Sequence, residues 1–180
     1  MRNIIFCFIT IFQLTFLGCS CKKEKISPAD LPPATQDGKN TLGFLLHGQA
    51  WTPQGFNGTA NLSLSYDETF SGGVFNLAAY RYINPPTDAR QRIVMYGDSI
   101  QAAQRIILPS ANKFGIILRN DLTGCEYQMA DSAMKITGGY FDIQILDKAK
   151  GIFAGEFEIR LTKTGCETVE ITKGRFDMKF

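Results

Sequence analysis

A chain of 180 residues holds one ordinary domain with extensions, and its 44% hydrophobic residues can furnish a core. Nineteen basic against seventeen acidic side chains leave a formal charge of +2, too near neutrality to argue for nucleic acid as a partner. The single histidine leaves no pair of imidazoles to share a metal.

In chain order, Arg2 is followed by a nearly all-apolar run over 4–17. That run is shorter than the ~20 residues a membrane-spanning helix needs. Its length and flanks are those of a secretory signal peptide. It ends in Phe16-Leu17-Gly18-Cys19. A small residue and then a cysteine, straight after the apolar run, resembles a bacterial lipobox. The resemblance implies that Cys19 takes a diacylglycerol, that the signal 1–18 is cut away, and that the new N-terminus is acylated. The chemistry suits the residues: only a thiol forms the thioether, and a small Gly18 admits the peptidase. Several acyl chains hold a protein on a membrane more firmly than one. Cys21 is a weaker alternative acceptor, because no leading aliphatic residue precedes it at the required place. Residues 19–40 lack periodicity and are rich in proline and small polar residues, so beyond the lipidated Cys19 they read as a flexible tether. A single all-β domain is expected over 41–180.

Phe44-Leu45-Leu46 and Gln49-Ala50-Trp51 flank His47-Gly48. Two-residue hairpin turns need positive φ, which His tolerates better than most residues. His47 is therefore expected as a turn residue rather than a metal ligand or catalytic base. Leu62, Leu64 and Tyr66 alternate with Ser63 and Ser65. Phe75, Leu77, Ala79 and Arg81 oppose Asn76, Ala78, Tyr80 and Tyr82. Asn84-Pro85-Pro86-Thr87-Asp88 breaks the pattern. Ile93-Val94-Met95-Tyr96, Ile106-Ile107-Leu108 and Phe114-Gly115-Ile116-Ile117-Leu118 are further strands, and 99–105 is one helical turn or a loop. In the clearest stretch, 138–180, Phe141, Ile143 and Ile145 share a face. Phe153, Phe157, Ile159 and Leu161 share another with Gly155. Val169 and Ile171 have one parity and Phe176 and Met178 the other, which places a bulge or tight turn at Thr172-Lys173-Gly174. No helix of ordinary length is expected. Some ten short strands predict an all-β antiparallel meander, either a sandwich or an up-and-down, lipocalin-like barrel.

Cys125 and Cys166 sit in near-identical settings, Thr123-Gly124-Cys125-Glu126 and Thr164-Gly165-Cys166-Glu167. They are the candidate disulfide of an exported protein, two buried thiols being the alternative. There is no Gly-rich phosphate loop, no His-Glu-x-x-His, no serine elbow and no Cys-x-x-Cys. No catalytic residue, metal or cofactor is expected. Arg175 and Asp177 share a strand face and are expected to form a surface ion pair worth under ~1 kcal/mol. Trp51, Phe56, Tyr80 and Tyr82 are the candidate ligand-facing aromatics, with core packing as the alternative.

Three stretches together resemble a group of small Bacteroidota-type lipoproteins that form a domain family of unknown function. They are Leu31-Pro32-Pro33-Ala34-Thr35-Gln36-Asp37-Gly38-Lys39-Asn40-Thr41, the run from Gly43-Phe44 to Trp51-Thr52-Pro53, and Cys166-Glu167-Thr168-Val169-Glu170-Ile171-Thr172-Lys173-Gly174-Arg175-Phe176-Asp177. The resemblance implies a lipid-anchored, all-β body at the outer membrane, on its periplasmic face or on the cell surface. It brings no activity with it. His47 stands where such proteins commonly carry Asn before Gly. Some members reach the surface through an acidic signal after the lipidated cysteine, whereas Ser20-Cys21-Lys22-Lys23-Glu24-Lys25 is mostly basic. The resemblance also implies O-glycosylation at Asp-Ser followed by an aliphatic or small residue. Ser99 in Asp98-Ser99-Ile100 and Ser132 in Asp131-Ser132-Ala133 are the candidates, ordinary turns being the alternative. The expected function is a non-enzymatic binding or accessory module, anchored in the membrane and holding a protein, glycan or small apolar partner. A structural or assembly component is the alternative, and a hydrolase acting on envelope or glycan substrates stands third.

Overall fold

The computed structural model describes residues 31–56, 58–83, 89–110 and 113–180. The signal 1–18, Cys19, Cys21, residues 20–30 of the expected tether, and the break at 84–88 lie outside the described residues. The strands are β1 (Thr41–Leu46), β2 (Gln49–Trp51), β3 (Leu62–Asp67), β4 (Val74–Tyr82), β5 (Arg90–Gly97), β6 (Gln104–Ile107), β7 (Phe114–Asn120), β8 (Cys125–Gln128), β9 (Met134–Asp147), β10 (Ile152–Lys163) and β11 (Val169–Lys179). Among the described residues there is no helix, and the stretch before β6 is a loop.

Two antiparallel sheets form a sandwich. One has the order β2-β1-β11-β10-β9-β6, the other β3-β4-β5-β7-β8. Of the two expected architectures the sandwich is found and the closed barrel is not. Sequence neighbours pair within β1–β2, β3–β4–β5, β7–β8 and β9–β10–β11, and the chain changes sheet between β2 and β3, on either side of β6, and between β8 and β9, so that β5 pairs with β7 and the meander is interrupted. β6 pairs with β9 of the larger sheet, and β1 pairs with β11.

Local chemistry explains the elements. His47 and Gly48 both take positive φ, 51° and 77°, the conformation of a tight two-residue turn between β1 and β2. In β4, Phe75, Leu77 and Ala79 are buried at every second position while Asn76 is exposed. The parity slip in β11 is a bulge: the register passes from Gly43↔Arg175 to Leu45↔Thr172, three residues against two. Lys173 there has φ 51°.

β9 corrects one expectation. Its register with β10 slips twice, between Arg160 and Leu161 and between Ala154 and Gly155. Each slip inserts one residue into β9 and reverses its parity. Met134 and Ile136, then Phe141 and Ile143, and then Leu146 rather than Ile145 pack against the core.

The core is continuous between the sheets and rich in phenylalanine. Phe141 of the larger sheet lies 5.1 Å from Phe75 and 5.1 Å from Phe114 of the smaller one, and 5.0 Å from Phe176. Phe44, Phe75, Phe141, Phe153 and Phe157 are all wholly buried. The centre of the sandwich is filled.

The reading of 19–40 as a tether is corrected over its second half. Residues 31–40 form a strap across the outer face of the larger sheet. Leu31 is buried, and Pro32 lies so close to β1 that a Cβ on Gly43 would come within 2.5 Å of its Cδ. The Arg175 guanidinium donates to the Pro32 carbonyl at 3.1 Å, and the Gln36 side chain donates to Gln144 of β9 at 2.9 Å.

The strap closes on Asp177. This carboxylate is 1% exposed and accepts from the Thr35 hydroxyl at 2.6 Å and from the amides of Asp37, Gly38 and Lys39 at 3.1, 2.6 and 3.2 Å. The expected Arg175–Asp177 surface ion pair is therefore not formed. Both side chains face the outer side, but the strap covers that side and takes each separately. Burial alone would raise the Asp177 carboxyl, but the hydrogen bonds from Thr35, Gly38, Asp37 and Lys39 outweigh it and hold it below the usual carboxylate value.

A candidate binding cavity at one end of the sandwich

The inward row of β4 continues past Phe75, Leu77 and Ala79 to Arg81, and the inward row of β5 begins with Gln91 ahead of Ile93 and Met95. Strand register sets these two polar residues opposite each other. A charge and an amide therefore occupy core-facing positions at one end of the smaller sheet. Gln91 is 6% exposed. Its side-chain oxygen accepts from the Trp51 indole at 2.9 Å and from Arg81 Nε at 2.8 Å. Arg81 Nη1 donates to the Ala50 carbonyl at 3.2 Å, and its guanidinium lies 5.4 Å from the Trp51 ring centre.

Arg81 is half-buried and pairs with no carboxylate among the described residues. Burial pulls its pKa below the ordinary arginine value, since loss of water disfavours the charged form. Two of its five N–H groups reach protein acceptors, which leaves three without one among the described residues.

These groups line a cavity of about 300 Å³ between the two sheets, where the β1–β2 turn, the β7–β8 turn and the β10–β11 loop meet. Leu46, Leu118 and Val169 give it an apolar wall, and Asn120 adds an amide. At the rim, His47 Nε2 lies 3.5 Å from the Glu167 carboxylate. The mouth is fastened across the sheets. A disulfide joins Cys125 of β8 to Cys166 of the β10–β11 loop with Cα atoms 6.1 Å apart, and the Tyr127 hydroxyl donates to the Glu167 carbonyl at 2.6 Å. Burial raises the Tyr127 pKa, so the phenol stays a donor.

The other candidate residues are dispersed. Trp51 is no ligand-facing aromatic. It is wholly buried and stacked on Phe44 at 4.7 Å, because its place on β2 turns it inward. It meets the cavity lining through its hydrogen bond to Gln91 and through the Arg81 guanidinium over its ring. Phe56 is 76% exposed on a loop. Tyr80 and Tyr82 meet edge to face at 5.8 Å on the opposite face of β4 from Arg81. Ser99 is exposed at φ 58° and donates to Asp98 at 3.0 Å, and Ser132 is exposed in the turn after β8. Among the described residues, no group of three or more His, Cys, Asp and Glu side chains could hold a metal ion.

Sequence reasoning placed Arg81 on an inward face without drawing the consequence. The available signal was a charged residue in register with three apolar ones, where a core position is expected. Comparisons with protein-family models, with curated proteins and with solved structures find no match.

Proposed function

We propose that the chain is a lipid-anchored binding module of the bacterial outer membrane, with the Arg81 cavity as its receptor site. The observation that carries this reading is the half-buried guanidinium that no described carboxylate neutralises. Withdrawing a charge from water costs several kcal/mol unless partners compensate it. Two neutral acceptors compensate Arg81 in part, and its remaining donors have no acceptor among the described residues and can meet an incoming group.

The apolar run and Phe16-Leu17-Gly18-Cys19 support the anchor. With 31–40 docked, only the eleven residues 20–30 separate Cys19 from Leu31, a reach of roughly 40 Å at ~3.3 Å per residue. The basic Lys22-Lys23-Glu24-Lys25 supports the periplasmic face. The carboxylates with displaced titration do not favour a hydrolase. Asp67, Asp131 and Asp147 are lowered by the Thr69 hydroxyl, the Lys163 ammonium and the Lys150 amide, as turn-capping groups rather than acids tuned toward neutrality.

The test is ligand recovery. Protein extracted from its own membrane is expected to release a small molecule on denaturation, and Arg81→Gln protein to release none. Equal release from both would remove the cavity from this reading. The filled core and the exposed Phe70 and Met129 beside a second depression favour the assembly role as a second reading. In that case Phe70→Ser with Met129→Ser, not Arg81→Gln, would abolish cross-linking to a partner.

A further inference from the structure

We infer that the Arg81 cavity takes a small organic acid, with its carboxylate on the guanidinium and its hydrocarbon part on Leu46, Leu118 and Val169; the inference rests on the receptor reading above. Arg81, Gln91 and Asn120 supply donors to the cavity, whose polar lining also holds Gln49, Thr123 and the Tyr127 hydroxyl. Arg81 keeps three N–H groups without a protein acceptor among the described residues. The Gln91 oxygen is occupied by Trp51 and Arg81, so this side chain can offer only its N–H₂ group. The Asn120 oxygen already accepts from the Leu122 amide at 3.2 Å, while its N–H₂ group has no acceptor among the described residues. The one carboxylate in the lining, Glu167, has its side chain 66% exposed and faces His47 at the rim.

One guanidinium with neutral donors matches a planar monoanion, which a flat fork binds through two parallel hydrogen bonds. A phosphate dianion would leave a charge uncompensated beside an apolar wall. The volume, about 300 Å³, lies at the lower end of small-molecule sites, so the acid is short. The disulfide and the Tyr127–Glu167 hydrogen bond hold the mouth in place before binding, so little ordering opposes it. The same chemistry is offered by a free acid and by the C-terminal carboxylate of a peptide.

Titration calorimetry of the full chain in mild detergent at neutral pH decides the question. The probes are acetate, butyrate, hexanoate and benzoate, each beside its amide, together with inorganic phosphate and an acetylated Gly-Ala-Leu peptide with free or amidated C-terminus. At least one carboxylate is expected to bind about tenfold or more tighter than its amide, and phosphate not at all. Preference for the peptide acid over the simple acids would name a chain terminus as the source, and the reverse a free acid. Arg81→Gln is expected to abolish the acid preference, and Arg81→Lys, which keeps the charge but loses the fork, to weaken it. If Arg81→Gln fails to fold, the wild-type ratio of acid to amide still decides. Amides binding as tightly as acids would overturn the acid assignment while leaving a receptor cavity. Binding of none of these probes would overturn both, and tighter binding of phosphate would overturn the monoanion.

Discussion

Asp177 shows how much one side chain can organise. It anchors four donors of the strap, and hydrogen bonds to a charged acceptor contribute ~1.5–3 kcal/mol each when cleanly removed. Asp177→Ala is expected to destabilise the body by about 2–4 kcal/mol in urea unfolding, and Asp177→Asn by less. The pH dependence follows from the lowered carboxyl. A depressed folded pKa gives stability that is fully present above the unfolded value, about 3.9, and is lost as pH falls through the folded value. The gap between wild type and Asp177→Asn is therefore expected to be constant from pH 5 to 7 and to close below about pH 4. A gap that widens on acidification would contradict the assignment. His47 makes a simpler case. Its φ of 51° suits Asn, so His47→Asn is expected to hold or slightly raise stability, while His47→Val costs about 1–3 kcal/mol. The turn was legible because His-Gly is local chemistry. The fate of Asp177 was not, because strand parity says which way a side chain points and not what segment covers it.

At the scale of elements, alternation was readable wherever pairing is regular and failed where a bulge intervenes. The slip in β11 showed itself because apolar residues lie on both sides of a glycine. The second slip in β9 did not, because Ile145 and Leu146 are adjacent and either satisfies an apolar pattern. The strap was misread for a related reason. Proline-rich, aperiodic sequence looks the same whether it hangs free or lies on a sheet. Its signature was in the partner strand, where Gly43 leaves room for Pro32; Gly43→Ala is expected to loosen residues 31–40, seen as faster amide exchange there. The disulfide closes a sequence separation of 41 and ties one sheet to the other. The chain-entropy estimate for such a loop is about 4 kcal/mol, so the double replacement of Cys125 and Cys166 by Ser is expected to lower stability by about 2–4 kcal/mol and to weaken ligand binding at the mouth. Phe141→Ala, which removes a ring touching Phe75, Phe114 and Phe176, is expected to cost about 3–5 kcal/mol by the same denaturation assay.

Taken whole, the molecule is a filled sandwich whose one charged interior end opens to a cavity, with its own N-terminal strap folded over the outer face. The all-β antiparallel class followed from short alternating strands, whereas the choice of sandwich over barrel did not. The cavity did not, because it is assembled from β1, β2, β4, β5, β7, β8 and β11, elements that only the fold brings together. On the proposed anchoring, the strap leaves only residues 20–30 between Cys19 and Leu31, so the body would stay within roughly 40 Å of the bilayer at ~3.3 Å per residue. The most direct measurement is a native mass spectrum of the protein extracted from its own membrane in mild detergent. The expected mass is that of residues 19–180 with acyl chains, accompanied by a small acidic adduct that Arg81→Gln protein lacks. A chain that retains residues 1–18, or an adduct pattern indifferent to Arg81, would contradict a lipid-held receptor.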